Sequence, residues 1–247
     1  MNEVIETIKK HRSIRRFNGK EIPEDIKQTM LECAVRAPTT AMGHFYSIIE
    51  IKDASFRKSL YDLCGRQECM SRGSFFIFAS DLRRSRLWAD HLGGERKINK
   101  FTAFQFSAVD ATLAAQNFSL AAESLGLGTV FIGMVGHRAY EVCELLNLPA
   151  DVLPLYGLAV GYPNENPDLR PRIPVKFMHH VDRYSDMKSN EIDEAIDVIG
   201  NFSSGEKPVK RNRSERQNFV RSLLTGGWWV KGKKSLRRAL RRQSLIR

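Results

Sequence analysis

Between residues 11 and 15 the chain reads His11-Arg12-Ser13-Ile14-Arg15, three potential cations and a hydroxyl within five positions. Such a group suits a phosphate dianion, because charge-assisted hydrogen bonds are shorter and roughly twice as strong as neutral ones. Arg170-Pro171-Arg172 supplies a second guanidinium pair, stiffened by its proline. Taken singly, each cluster also fits a solvated basic loop. Other chemistries are poorly provided for. The sequence holds no G-x-S-x-G nucleophile elbow, no G-x-x-x-x-G-K-S/T phosphate loop and no H-E-x-x-H metal helix. The G-x-G-x-x-G dinucleotide fingerprint is missing too: Gly126-Leu127-Gly128 follows a helical stretch and precedes a strand, the reverse of the required order. Cys33, Cys64, Cys69 and Cys143 form neither a C-x-x-C pair nor a zinc spacing. Cys33 and Cys143 lie in apolar helical patterns and are expected as buried free thiols.

The elements that must carry these residues follow from periodicity. A short helix with Val4, Ile5 and Ile8 on one side opens the chain, and His11 to Lys20 reads as a loop with a strand-like start. Pro23 suits the first turn of a second helix, since its missing N–H would have no partner there. Ile26, Met30, Cys33, Ala34 and Ala37 continue that helix at the right spacing until Pro38 stops it. Strands are expected at 46–51, 75–79, 129–132 and 153–160, with helices at 56–63 and 140–146. The charged stretch 83–100 reads as a mobile excursion or lid. Residues 104–125 form a long Ala-rich helix that is apolar on most faces, which implies burial in a core or a subunit interface. Strands and helices mix without a strict β-α alternation, so the expected class is α+β rather than a doubly wound sheet.

The 247 residues suffice for one substantial core, and 42% hydrophobic with 27% charged residues is the balance of an ordinary globular chain. No run of 18 or more apolar residues occurs, and the first ten residues carry no secretory pattern, so the cytoplasm is the expected compartment. The formal charge of +11 is concentrated: residues 206–247 hold 14 Lys and Arg against two Glu, leaving the remainder close to neutral. Phe202 to Glu206 reads as a linker.

The two basic clusters stand in order with other motifs: Gly65-Arg66-Gln67, then Glu123 to Gly128 leading into Phe131-Ile132-Gly133, then Gly161-Tyr162-Pro163 and Asn166 to Pro174. From about residue 3 to 184 this ordered set closely resembles the NADPH-dependent, oxygen-insensitive nitroreductase and flavin reductase branch of the nitroreductase superfamily. The resemblance implies an α+β fold with a mixed sheet flanked by helices, residues 1–184 forming the FMN-binding domain and 185–247 a basic extension. It further implies a homodimer with two FMN sites at the subunit interface. His11, Arg12 and Ser13 match the segment that meets the FMN phosphate and ribityl chain, joined by Arg170 and Arg172. Arg15 matches a basic residue near the pyrimidine end, where a fixed cation would stabilise the electron-rich reduced ring. Gln67 matches an amide on the pyrimidine edge, and Phe131, Ile132 and Gly133 a strand end whose backbone approaches the ring. Thr39 replaces a family serine near the cofactor; Met42 and His44 depart from the pattern and bear on acceptor choice. Met134 stands where this branch often has a second glycine, with simple packing as its other reading.

The implied activity passes hydride from NADPH or NADH through FMN to nitroaromatic, quinone or flavin acceptors, with ping-pong kinetics. Arg211 and Arg213 could meet the 2′-phosphate of NADPH, or simply belong to a solvated tail. The rival reading is an FMN-holding sensor or storage protein whose tail, with Trp228 and Trp229 ahead of Leu236, Ala239 and Leu240, binds nucleic acid or an anionic membrane. A C-terminal arm packed across a dimer partner is the third possibility for that tail.

Overall fold

The computed structural model describes residues 2–95, 97–201, 209–226 and 232–246. Contacts divide the chain into two compact units, 1–166 together with 232–247, and 167–231. The final helix, although at the far end of the chain, groups with the first unit.

The first unit is built on four strands, β1 (Tyr46–Glu50), β2 (Ser74–Asp81), β3 (Gly128–Ile132) and β4 (Val152–Gly161), in the order β1-β2-β4-β3. Every pairing is antiparallel, so the expected mixed sheet is corrected. The only parallel pairing among the described residues is an isolated bridge from Ser13 to Thr129. Sequence pattern did not reveal this because β2 and β4 are buried on both faces and read as continuous apolar runs, as parallel strands also do.

Helices cover both faces. On one side α2 (Glu24–Val35) and α6 (Lys100–Ser124) pack Met30, Ala34, Ala111, Ala115 and Phe118 against Phe76, Phe78, Leu158 and Val160. The small residues of α6 allow close approach, and Phe76 meets Phe118 with ring centroids 4.8 Å apart. On the other side α3 (Ala54–Leu63), α4 (Cys69–Arg72), α7 (Met134–His137) and α8 (Ala139–Leu145) supply Leu60, Met70, Val135 and Val142 against Phe75, Ile77 and Ala159. The sheet is therefore the middle of three layers, and its antiparallel pairing places the class as α+β. The opening helix, α1 (Glu3–Lys9), lies against α6 and leaves Val4, Ile5 and Ile8 exposed.

Two expectations change. The stretch 83–100 contains a helix, α5 (Arg83–His91), whose start is capped when Asp81 accepts from the Arg83 and Arg84 amides at 2.9 and 3.2 Å. Cys33 is half-buried; Cys64, Cys69 and Cys143 are fully buried, and all four are free. No described helix is long and apolar enough to cross a membrane.

In the second unit α9 (Ser189–Gly200) and α10 (Arg213–Thr225) pair through Arg216–Asp197 at 2.7 Å and Arg213–Asp193 at 2.8 Å. Arg211 donates to Gly200 O at 3.0 Å and lies over the Phe219 ring. The two arginines considered for the NADPH 2′-phosphate are thus engaged within this unit. The predicted linker at 202–206 and Trp228–Trp229 lie outside the described residues.

The basic tail ends in α11 (Lys233–Arg242), which folds back onto α8 of its own chain. Ala239, Gln243 and Leu245 are buried there, Arg238 stacks 3.7 Å above the Tyr140 ring, and Arg242 pairs with Glu144. Its apolar side is spent on the core beside Cys143, Leu148 and Leu153.

Candidate active site

The basic segment is pinned across the ends of β3 and β4. Ile14 N donates to Thr129 O at 2.9 Å, Asn18 N to Tyr162 O at 3.0 Å, and Asn164 N to Arg16 O at 2.9 Å. Ile14 and Phe17 turn inward. Glycine is required beneath them: a Cβ on Gly128 would fall 2.6 Å from Ile14, and one on Gly161 2.8 Å from Phe17. With the apolar residues of the segment buried, Arg12, Ser13 and Arg15 are left outside the core.

Two carboxylates fix this segment. His11 Nδ1 meets Glu123 Oε1 at 2.7 Å, and the same oxygen accepts from Thr129 Oγ1 at 2.8 Å. The carboxylate oxygen accepts, so Nδ1 carries the hydrogen and Nε2 is the nitrogen left for a ligand. Glu165 accepts from the backbone amides of Arg15 and Arg16. Arg16 also reaches Glu68 at 4.0 Å, which joins the segment to the loop carrying Gln67. Gln67 Nε2 donates to Cys64 O at 3.0 Å. Cys69 is close enough to feel Arg15: burial pushes its thiol up to about 11, and the guanidinium opposes the rise.

From Ser13, bridged to Thr129, to Gly133 is four residues of extended chain, about 13 Å. Phe131 is half-exposed, Ile132 buried and Gly133 exposed. A Cβ at Gly133 would meet nothing within 4 Å, so neither packing nor backbone conformation demands glycine there. The space beside the strand end is open, and the cations Arg12 and Arg15 flank Ser13 at the strand's other end. Met134 begins α7, half-buried against the neighbouring core.

Thr39 lies elsewhere on the unit. It precedes a 3-10 turn, Thr40–Met42, in which Ala41 and Met42, followed by His44, all take positive φ. Buried Asp110 of α6 holds this strained loop, accepting from Thr40 N and Thr40 Oγ1 at 2.9 Å each and from Phe45 N at 3.4 Å. Arg84 donates to His44 O at 2.7 Å from the other side. Met42 is left 81% exposed at the tip. Asp110 and Glu123 are thirteen residues apart on one helix, roughly 20 Å. The Thr39 loop and the His11 segment of one chain therefore do not face the same ligand group. Arg170 and Arg172 belong to the second unit, where Arg172 Nη1 turns back to Arg170 O and Pro171 O at 3.4 Å.

Glu123, Glu165 and Asp110 had no role assigned from sequence. Asp110 carried a usable signal, a lone carboxylate in the run Ala108-Val109-Asp110-Ala111. Among the described residues no group of three or more His, Cys, Asp or Glu could hold a metal.

The model of the nitroreductase family matches residues 8–162, which contain the sheet and the pinned basic segment. The chain belongs to the nitroreductase family. It is 38% identical over 188 residues to the FMN reductase (NADPH) of Bacillus subtilis strain 168, covering 75% of this chain and 76% of that protein. The structure of nitroreductase A from Vibrio parahaemolyticus superposes with a TM-score of 0.80 at 30% identity, covering 92% of both chains. NADPH:FMN oxidoreductase from Vibrio harveyi, solved with NAD+, superposes with a TM-score of 0.77 at 29% identity, covering 92% of this chain and 98% of that one.

Proposed function

We propose that this nitroreductase-family chain is an FMN-dependent NAD(P)H oxidoreductase acting on nitroaromatic, quinone or free flavin acceptors. The observation that carries the reading is the open space at Gly133, set about 13 Å along one strand from a pinned cluster of cations. FMN, when bound, supplies the hydride chemistry between nicotinamide and acceptor. Everything else falls to the polypeptide. Arg12 and Ser13, with Nε2 of His11, hold the phosphate and ribityl end, and Arg170 and Arg172 add charge. Arg15 stabilises the pyrimidine end electrostatically, Gln67 presents its amide there, and Phe131, Ile132, Gly133 and Met134 border the ring.

Thr39 enters through a second copy of the chain. Its loop is anchored roughly 20 Å from His11 along α6, so one ligand touching both draws them from different protomers. Apolar surface is available for that copy: Phe106, Val109 and Leu113 lie exposed at helical spacing on α6, and Val4, Ile5 and Ile8 lie exposed on α1. One cleft serving donor and acceptor in turn gives ping-pong kinetics.

Anaerobic mixing of the FMN-loaded protein with NADPH tests this reading directly. Bleaching of the oxidised flavin absorbance, restored by a pulse of nitroaromatic, is expected. A yellow protein that NADPH and NADH both fail to bleach would instead favour a flavin-holding sensor.

A further inference from the structure

We propose that a cleft between the 18–24 segment, the end of β1 and the 71–74 turn binds a small phosphorylated metabolite, at a site separate from the flavin. The cleft is about 640 Å³, within the range of small-molecule sites, and none of the residues assigned above to FMN lines it. Five cations face three carboxylates along its walls. Four of these groups neutralise one another in a closed ring: Lys27 meets Glu24 at 3.1 Å and Glu50 at 3.3 Å, and Lys52 meets the same two at 3.2 Å each. Outside that ring stand Arg57, Arg72 and Lys20, with Glu21 as the remaining carboxylate. The surplus is positive and matches a dianion.

Arg57 is the centre of the case. Its Nε donates to Met70 O at 3.0 Å, which fixes the guanidinium plane, while its Nη2 is buried without a hydrogen-bond partner. Orphaned buried donors are rare in native proteins and call for a ligand or an ordered water. Burial lowers this guanidinium from its ordinary value, with Glu50 opposing the shift, so the group is desolvated yet still charged. A partly desolvated guanidinium on the cleft wall favours an oxyanion with parallel acceptors, as a phosphate has. Ser74 adds a hydroxyl to the same wall. The space left beyond one phosphate is what gives room for an organic body.

Calorimetric titration of the full-length, FMN-saturated protein with inorganic phosphate, at ionic strength held constant with chloride, tests the site. Saturable binding at millimolar or tighter affinity is expected, with flavin absorbance unchanged. Arg57→Gln is expected to weaken it at least tenfold. Absence of saturable heat, or undiminished affinity in a folded Arg57→Gln protein, overturns the proposal and leaves Nη2 to a water. Should Arg57→Gln fail to fold, Arg72→Ala and Lys20→Ala, both at exposed side chains, carry the test. Each is expected to weaken phosphate severalfold, and unchanged affinity in both overturns the proposal equally.

Discussion

At the residue scale, three glycines of the family motifs have different physical reasons, and mutation separates them. Gly128 and Gly161 are empty because Ile14 and Phe17 fill the space above them. Gly128→Ala is therefore expected to destabilise the protein by about 1–3 kcal/mol, the usual cost of overpacking, as read by urea unfolding. Gly133 has a helical φ of −66° and no neighbour for an added Cβ. Gly133→Ala should leave apo-protein stability within about 0.5 kcal/mol of wild type while weakening FMN binding severalfold in a fluorescence titration. Tight FMN binding by that variant would remove the ring from this strand end. The arginines divide similarly. Arg15→Ala is expected to lower the reduction potential of bound FMN by roughly 30 mV, equivalent to about 1.4 kcal/mol for a two-electron couple. Arg172→Ala should mainly raise the FMN dissociation constant. Small and equal effects from both would show that the two roles are misassigned. His11 and Glu123 illustrate what sequence reading missed: the histidine was visible as a cation, but its fixed orientation comes from a carboxylate 112 positions away.

At the element scale, α6 does two jobs that its composition foreshadowed. Its alanines meet the sheet, and Phe106, Val109 and Leu113 point outward at helical spacing. An Ala-rich helix apolar on most faces signals two partners, and the structure supplies one of them within the chain. The tail is the opposite case. Its density of Lys and Arg suggested an arm or a polyanion binder, yet Ala239 of α11 and Leu245 just beyond it are buried against their own chain. Only its contacts with Tyr140, Glu141 and Glu144 explain that choice: Ser235 bonds Glu141 at 2.5 Å, and Arg238 and Arg242 settle on the aromatic and acidic groups of α8. Removing residues 232–247 is accordingly expected to cost at least about 2 kcal/mol of unfolding free energy, since it opens an apolar site over Cys143 and Leu153. If the truncated protein keeps full stability and loses only self-association, the helix belongs to a dimer contact after all. The four strands and α1, α2, α3, α6 and α8 were readable to within a few residues from their apolar spacing, whereas α4, α7, α9 and α10 were not predicted. The α5 helix was hidden because charges dominate residues 83–91, and its start depends on a cap from Asp81.

At the scale of the whole molecule, the proposed function requires two chains to complete the FMN site. Subunit mixing makes this measurable. Ser13→Glu places a carboxylate where phosphate is expected, and Thr39→Trp crowds the loop from the other side. Homodimers of either variant should be inactive. In a mixed dimer both lesions fall in one site and the other site is intact, so NADPH-dependent activity of about half the wild-type level is expected from two-fold symmetry. Mixed dimers as inactive as their parents would mean that each chain builds its site alone.

The order of short motifs along the sequence sufficed to place this chain among the nitroreductases, because glycines, arginines and apolar periods are local requirements that each leave a local mark. The antiparallel pairing, the carboxylates behind the basic segment, the separation of Thr39 from His11 and the seat of the last helix were decided only by tertiary structure. Each of these joins positions far apart in the chain, and hydrogen bonds and burial between distant residues have no period by which a sequence could announce them.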